Sequence, residues 1–309
     1  MALNILVTGG AGFIGSNIVE ALLNKGYNVR VLDNFSTGKR DNLLGYEDDI
    51  QLIEGDIRSP NIVQEAVSGI DVILHQAALP SVPRSIKDPI TTNAVNISGT
   101  LNLLEAAVKS SVQRFVYASS SSVYGDSPEL PKKETMNPRP LSPYAVSKLA
   151  GEKYCQVFSR IYGLETIGLR YFNVFGKRQD PGSQYSAVIP KFIKQMLNDK
   201  QPTIYGDGLQ SRDFTFIANI IKANLLAATK DVKESLILNC ACNERINLIE
   251  LVNKINKNLD KGIEPVFENS RPGDVKHSFA DIELAKEKLG YRVEVDFEEG
   301  LKQTIDSLK

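Results

Sequence analysis

Between the short apolar runs Asn4-Ile-Leu-Val7 and Asn28-Val-Arg-Val-Leu-Asp33 lies Thr8-Gly-Gly-Ala-Gly-Phe-Ile-Gly15, which sets glycine at 9, 12 and 15 at the start of a helical pattern over 12–25. A strand that turns at once into a helix needs glycine in three situations: where the backbone folds tightly, where it approaches a ligand, and where the helix lies against the strand. The helix must then cross the sheet, so the two strands it joins run parallel. The rhythm repeats, with strands predicted near 50–54, 71–75, 113–119 and 165–171 and helices near 60–67, 89–108 and 142–162. Ser59-Pro60 and Asp88-Pro89 each set a capping side chain before a proline suited to the first helical position.

Repeated units of this kind predict the α/β class, a doubly wound parallel (Rossmann) sheet covered on both faces. After Arg170 the rhythm loosens. Loop signals fill 173–186 and Tyr205-Gly-Asp-Gly208, and helices are predicted near 187–198, 219–229, 247–259, 281–289 and 296–308, with Asp281 as an N-cap and Gly290 as a stop. The expected division is residues 1–172 as a cofactor-binding domain, to which 213–240 returns, and 173–309 as a smaller, mostly helical substrate domain. No low-complexity linker separates the two, so they should be tightly joined.

Composition excludes several classes. Lys+Arg 36 against Asp+Glu 37 leaves a net charge of −1, which offers no whole-chain attraction for nucleic acid or an anionic membrane. Cys155, Cys240 and Cys242 form an odd, sparse set with no paired metal spacing, and Cys240 and Cys242 lie in a strand-like run. They read as packed thiols, with no disulfide framework and no metal site. No apolar run approaches membrane-spanning length, and the start Met-Ala-Leu-Asn has no basic n-region, so the expected location is the cytoplasm.

The glycine loop is a Gly-x-x-Gly-x-x-Gly variant of the dinucleotide fingerprint, with Gly9, Gly12, Phe13, Ile14 and Gly15 facing a diphosphate. Asp33 ends the second strand, where a carboxylate bonds ribose hydroxyls and repels a 2′-phosphate; this favours NAD, with Asn34 beside it. Gly38-Lys39-Arg40 follows and leaves room for NADP. Asp56 and Ile57 follow the third strand, within reach of the adenine. The small residues of His75-Gln-Ala-Ala78, Ala77 and Ala78 among them, let backbone pass close to the cofactor. Asn96 and Gly99 read equally well as structural.

Of the eleven tyrosines, Tyr144 alone has a lysine four residues on, so Tyr144 and Lys148 share one helix face. The strand ending Tyr117-Ala-Ser-Ser-Ser-Ser122 delivers hydroxyls to the same sheet edge. A phenol titrates near ~10, too high for a base at neutral pH. A lysine charge about 6 Å away, at an effective dielectric of about 20, contributes ~2.8 kcal/mol, which would lower it by about two units. The pair therefore reads as a base and its modulator, suited to removing a hydroxyl proton while hydride leaves the same carbon.

Together these motifs resemble the extended short-chain dehydrogenase/reductases, in particular the NAD-dependent UDP-sugar 4-epimerases, over essentially the whole chain. The resemblance implies that Ser120 bonds the sugar 4-oxygen, with Ser121 and Ser122 beside it and Ser81 near the sugar, while Tyr144 is the base. Related dehydratases carry an Asp-Glu pair at the positions of Ser121 and Ser122, and decarboxylating relatives carry Glu at the latter. With neither acid here, a 4-keto sugar would turn and take its hydride back. Asn173, Arg212 and Arg271 match diphosphate ligands and Asp274 a ribose ligand, with Val188 and Tyr205 also lining the nucleotide sugar. Gln179, Ala187 and the small Ser278 match the branch acting on UDP-N-acetylglucosamine, where glucose-restricted bacterial members carry tyrosine at the Ser278 position. Pro80 and Ala218 depart from the pattern, standing for a common glycine and a common acid. The implied partners are NAD, a UDP-sugar and a second copy of the chain paired through 89–108 and 142–162. A UDP-glucuronate 4-epimerase and a non-catalytic nucleotide-sensing protein on the same fold remain the alternatives.

Overall fold

The computed structural model describes residues 2–182, 187–269 and 276–309. Its centre is a seven-stranded sheet in which every pairing is parallel. Six strands come from residues 4–171: β1 (Asn4–Thr8), β2 (Asn28–Asp33), β3 (Ile50–Glu54), β4 (Val72–His75), β5 (Arg114–Ser120) and β6 (Glu165–Tyr171). The spatial order is β3, β2, β1, β4, β5, β6, followed by Leu236–Cys240 as the seventh strand. The winding direction reverses between β1 and β4, and the carboxyl ends of strands flanking such a reversal leave a crevice for a ligand.

The near-continuous apolar character of the strands follows from burial on both faces. Within β1, Ile5 and Val7 join one hydrophobic cluster while Leu6 between them joins the other. The first cluster takes in α1 (Phe13–Leu23) through Ile18 and Leu22, and the helix Ile217–Thr229 through Ile220 and Ala223. The second takes in α2 (Pro60–Val67) through Val63, the segment Thr100–Lys109 through Leu103, and Pro143–Tyr162 through Cys155 and Phe158.

Several local expectations are corrected. The helix predicted over 89–108 is α4 (Pro89–Asn93), a π-helical stretch Ala94–Gly99 and α5 (Thr100–Lys109), preceded by an unpredicted short helix α3 (Val82–Lys87). Asp88 caps α4 through Thr91 N at 3.0 Å, but the Ser59 side chain makes no cap bond to α2. Asp281 accepts from Glu283 N at 2.8 Å without being the N-cap, which is Ile282, whereas Gly290 ends that helix in the left-handed region. The second half carries more strand than expected: 203–205 pairs with 266–268, and 211–212 lies between 246–247 and 277–278. All three cysteines are free thiols; only Cys240 lies in the seventh strand, with Cys242 in the turn beyond it. No helix among the described residues is long and apolar enough to cross a membrane.

His75 at the end of β4 ties the two halves of the crossover together, with ring nitrogens 2.7 Å from Thr8 Oγ1 and 2.9 Å from Thr100 Oγ1. Burial pushes its pKa down to about 3, assisted by the Lys148 charge, so it is neutral in the fold. The unfolded chain takes up that proton near 6.5, hence this contribution to stability is present above about 6.5 and is lost as pH falls toward 3. The stability advantage of the parent over His75→Gln is expected to shrink between pH 7 and 4 in urea titrations. A pH-independent difference would exclude a buried neutral imidazole.

Candidate active site

Every residue assigned above to the cofactor lines one cleft at the carboxyl edge of the sheet, from Gly9, Gly12, Phe13, Ile14 and Gly15 through Asp33, Asn34, Asp56 and Ile57 to Ala77, Ala78, Tyr144 and Lys148. The glycine loop shows why. Gly9 has φ +69°, and a Cβ there would stand 2.7 Å from Ala77 N, while a Cβ on Gly15 would stand 2.1 Å from Gly9 O. Gly12 begins α1 with no side-chain cap, so the first-turn N–H groups face the cleft, as an anion at a helix N-terminus requires. This backbone-walled cradle fits a dinucleotide diphosphate.

At the end of β2, Asp33 Oδ2 accepts from Ala11 N at 2.9 Å and Oδ1 from Phe35 N at 2.8 Å. Burial raises its pKa and those N–H groups oppose the rise. The cations that left room for a 2′-phosphate are engaged: Lys39 Nζ lies 3.0 Å from Asp180 Oδ2, and Arg40 pairs with Glu54 and stacks 4.1 Å over the Phe35 ring. Asp33→Ala is therefore expected to weaken NAD about tenfold or more and to leave NADP nearly unchanged, measured by calorimetry. Equal losses would reduce Asp33 to a strand end. Asn34 Nδ2 donates to Asp56 Oδ2 at 2.8 Å, and Arg58 with that bond holds Asp56 down to about 2. Gly99 is structural, since a Cβ there would stand 2.6 Å from Ile57, and Asn96 ties Leu79 N (2.7 Å) to Ser147 Oγ (3.0 Å).

The catalytic end is carried by β5 and by α6 (Pro143–Tyr162), which starts at a Ser142 cap with Pro143 in its first turn. Lys148 is buried and its Nζ donates to Ala118 O at 2.7 Å, 5.9 Å from the centroid of the Tyr144 ring. Burial draws the Lys148 pKa down to about 8, against the pull of Glu152. The Tyr144 hydroxyl differs from expectation. Burial raises its pKa above the ordinary phenol value, and the neighbouring Ser120 hydroxyl, not Lys148, opposes that rise. Desolvation of the enclosed phenol dominates. Ser120 also accepts from Ser122 N at 3.2 Å, which fixes its rotamer.

Among the sugar-site residues, Tyr144 alone lines the cofactor cleft. Ser121 and Ser122 lie in the turn after β5, and the buried Ser122 Oγ has no partner. Asn173, at φ +35°, donates to Asp213 O at 3.0 Å, and Gln179 donates to Val174 O at 3.1 Å. Arg212 and Ser278 stand opposite each other on paired strands. Ala187 and Val188 open the helix Val188–Leu197, Tyr205 ends a short strand, and Ser81 caps α3. Arg271 and Asp274 lie outside the described residues. Pro80 lines the cleft rim, and Ala218 lies in the first turn of Ile217–Thr229. Among the described residues no group of three or more His, Cys, Asp or Glu is placed to hold a metal ion.

The cleft also contains residues that sequence reasoning missed. Gln76 and Tyr171 line it and are joined to Asn224, Tyr171 OH lying 3.1 Å from Gln76 Oε1 and Asn224 Nδ2 donating to Tyr171 OH at 2.8 Å. Ser119 lines it too, donating to Glu152 Oε1 at 2.6 Å. No local motif marks these; only the alternation of the strands, had it been applied to Ser119, separated it from Ser120.

Comparison with known proteins agrees with this geometry. Residues 5–241 match the family described as the NAD dependent epimerase/dehydratase family. The UDP-glucose 4-epimerase of Mycolicibacterium smegmatis is 35% identical over 310 residues, covering 97% of each chain. The structure of a UDP-N-acetylglucosamine 4-epimerase from Methanobrevibacter ruminantium, in complex with UDP-N-acetylmuramic acid, superposes with a TM-score of 0.95 at 41% identity, over 99% of this chain and 98% of that one. A UDP-glucuronic acid 4-epimerase from Bacillus cereus, in complex with UDP-glucuronic acid and NAD, gives 0.91 at 37% identity over 99% of both chains. With its dinucleotide cradle and its Ser-Tyr-Lys cluster, the chain belongs to the NAD dependent epimerase/dehydratase family, as an NAD-dependent enzyme built on the fold of the UDP-sugar 4-epimerases.

Proposed function

We propose that the protein inverts C4 of a UDP-hexose, with UDP-N-acetylglucosamine and UDP-N-acetylgalactosamine as the preferred pair and UDP-glucose and UDP-galactose as the secondary one. The observation that carries this is Tyr144 at the cleft, with a buried Lys148 one turn along the same helix and Ser120 at the end of the neighbouring strand, and no acid at 121 or 122. NAD, held by the glycine loop, Asp33 and the cleft beside Tyr144 and Lys148, would supply the hydride acceptor and donor. Ser120, its rotamer held by Ser122 N, hands a hydrogen bond to the sugar 4-oxygen and a proton path to Tyr144. Tyr144, as phenolate, would take the C4 hydroxyl proton and later return it to the same oxygen, the inversion arising from the turned 4-keto sugar presenting its other face at C4, while Lys148 would stabilise the phenolate charge. Serine at 121 and 122 offers no carboxyl to drive elimination or decarboxylation, so return of hydride is the remaining course. The complete Ser120, Tyr144 and Lys148 set supports catalysis over a nucleotide-sensing role.

In this reading Asn173, Arg212, Arg271 and Asp274 hold the nucleotide, two guanidinium forks offsetting a diphosphate. Gln179, Ala187 and Ser278 border the sugar. Residues 1–172, with 213–240, form the NAD domain, and the rest forms the sugar domain. The likeness to an N-acetylglucosamine 4-epimerase supports the N-acetyl preference, and the likeness to a glucuronic acid 4-epimerase keeps that substrate as the second reading. Separate incubation with UDP-N-acetylglucosamine, UDP-glucose and UDP-glucuronate, followed by product analysis, tests it. The highest kcat/KM should fall on the N-acetylated sugar; turnover of UDP-glucuronate alone selects the second reading, and no turnover of any defeats both.

A homodimer is part of the proposal. Val146, Val157 and Ile161 are exposed at intervals of eleven and four residues on α6, hence on one face, and Ile86 and Ile90 are exposed on α3 and α4. Ile161→Glu is expected to give a monomer by light scattering at micromolar concentration; an unchanged mass would remove this face from the interface.

A further inference from the structure

Glu152 lies four residues after Lys148, one turn along the same face of α6, and is buried. Its carboxylate is held from two sides. Arg170 on β6 donates to it through two bonds, Nε to Oε1 and Nη2 to Oε2, both 2.8 Å, and Ser119 Oγ donates to Oε1 at 2.6 Å. The segment Ala118-Ser119-Ser120 is therefore gripped at each residue. Ala118 O takes the Lys148 ammonium, Ser119 Oγ bonds Glu152, and Ser120 Oγ accepts from Ser122 N. Arg170 is 4.7 Å from the Tyr124 ring centroid, and its Nη1 has no partner although buried, so its charge rests on Glu152.

We propose that the Glu152–Arg170 pair is the positioning and electrostatic control of Lys148, with Glu152 holding the ammonium charged and Arg170 limiting that pull. The proposal rests on Tyr144 and Lys148 acting as base and modulator. The physical reason is asymmetry. Glu152 is one helical turn from Lys148, whereas Arg170 lies beyond it on the neighbouring strand, so at Lys148 the carboxylate charge outweighs the guanidinium charge. The other groups facing Lys148 do not take this role. Tyr144 on the same helix is the base that Lys148 serves, while Tyr117 on β5, its ring centroid 5.2 Å from Nζ, and Tyr171 on β6 are phenols whose pKa values burial raises. His75 on β4 is neutral, and burial keeps the Cys155 thiol on α6 protonated. Replacing a buried pair one charge at a time exposes each member's effect, while replacing both together removes the unpaired charge that endangers the fold.

The test follows Lys148 itself in the NAD-loaded protein carrying lysine labelled with ¹³C at Cε, the Lys148 signal being assigned by its loss in Lys148→Met. The parent midpoint is expected near 8, as burial sets it. Glu152→Gln should lower the midpoint by about one unit or more and Arg170→Met should raise it, the alkaline limb of kcat moving in the same two directions. Glu152→Gln/Arg170→Met, which removes both charges of the pair together, should lower it by less than Glu152→Gln alone. Shifts of one sign in both single variants, or an unmoved midpoint in the double variant, overturn the proposal and make the pair a packing feature. The double variant decides the matter even where a single variant does not fold. Absence of turnover in the parent with every UDP-sugar would defeat the proposed function instead, and the ¹³C midpoints would still be read.

Discussion

Tyr144→Phe is expected to lower kcat by roughly 10²-fold or more while leaving the fold and the NAD content unchanged. The substitution removes one oxygen from a half-buried ring and keeps the ring itself, so the cleft wall stays filled. The supports of the surrounding helix do not pass through that oxygen: Ser142 still caps α6 through Ala145 N, and Lys148 still donates to Ala118 O. What goes is the group that takes the proton. A purely structural tyrosine would show the opposite pattern, with stability reduced and activity per folded molecule retained. The measurement is kcat with the most active UDP-sugar, alongside thermal unfolding and the NAD absorbance of the dialysed protein. A variant within a few-fold of the parent would remove Tyr144 from the role of base.

The second large effect concerns Ser278. This residue is half-buried on the short strand 277–278, directly opposite Arg212, and its carbonyl accepts from Asp213 N at 2.8 Å. Its backbone is thus pinned to the strand that carries a proposed phosphate ligand, and a larger side chain has no freedom to swing away through backbone motion. Ser278→Tyr is expected to fill the space beside the sugar's 2-substituent, rejecting the N-acetylated substrate and sparing UDP-glucose. Overpacking a closed site costs ~1–3 kcal/mol or more, which is roughly tenfold to over a hundredfold in the ratio of kcat/KM values. The ratio for UDP-N-acetylglucosamine against UDP-glucose, measured in parent and variant with NAD content matched, reads this directly. An unchanged ratio would put Ser278 away from the 2-substituent.

The cofactor half of the cleft was legible because its information is local. A Gly-x-x-Gly-x-x-Gly string, a carboxylate at a strand end and small residues after the fourth strand each state a backbone requirement that neighbouring residues cannot change. The Gln76–Tyr171–Asn224 network was not legible, because its members come from three elements and meet only after 217–229 packs beneath β4 and β6. Glu152 and Arg170 were hidden for a similar reason: a glutamate on a helix and an arginine on a strand look like surface charges until both are buried against β5. The Tyr144 pKa was misjudged because a pairwise charge argument omitted the desolvation that enclosure imposes on the phenol itself.

Period and punctuation in the chain were enough to establish parallel βα units, the strand that ends at Asp33, and a tyrosine and a lysine on one helix face. These depend on spacings of two, three and four residues, which the backbone geometry of strands, turns and helices reads without reference to the rest of the molecule. Folding settled the remainder: that Leu236–Cys240 closes the sheet beside β6, that Lys39 and Arg40 are taken by Asp180 and Glu54, and that Lys148 spends a hydrogen bond on Ala118 O. Each of these joins groups distant in sequence or depends on how much water is left around a charge. Such energies exist only once the sheet and both its helical layers have assembled, because burial, not sequence neighbourhood, sets the local dielectric.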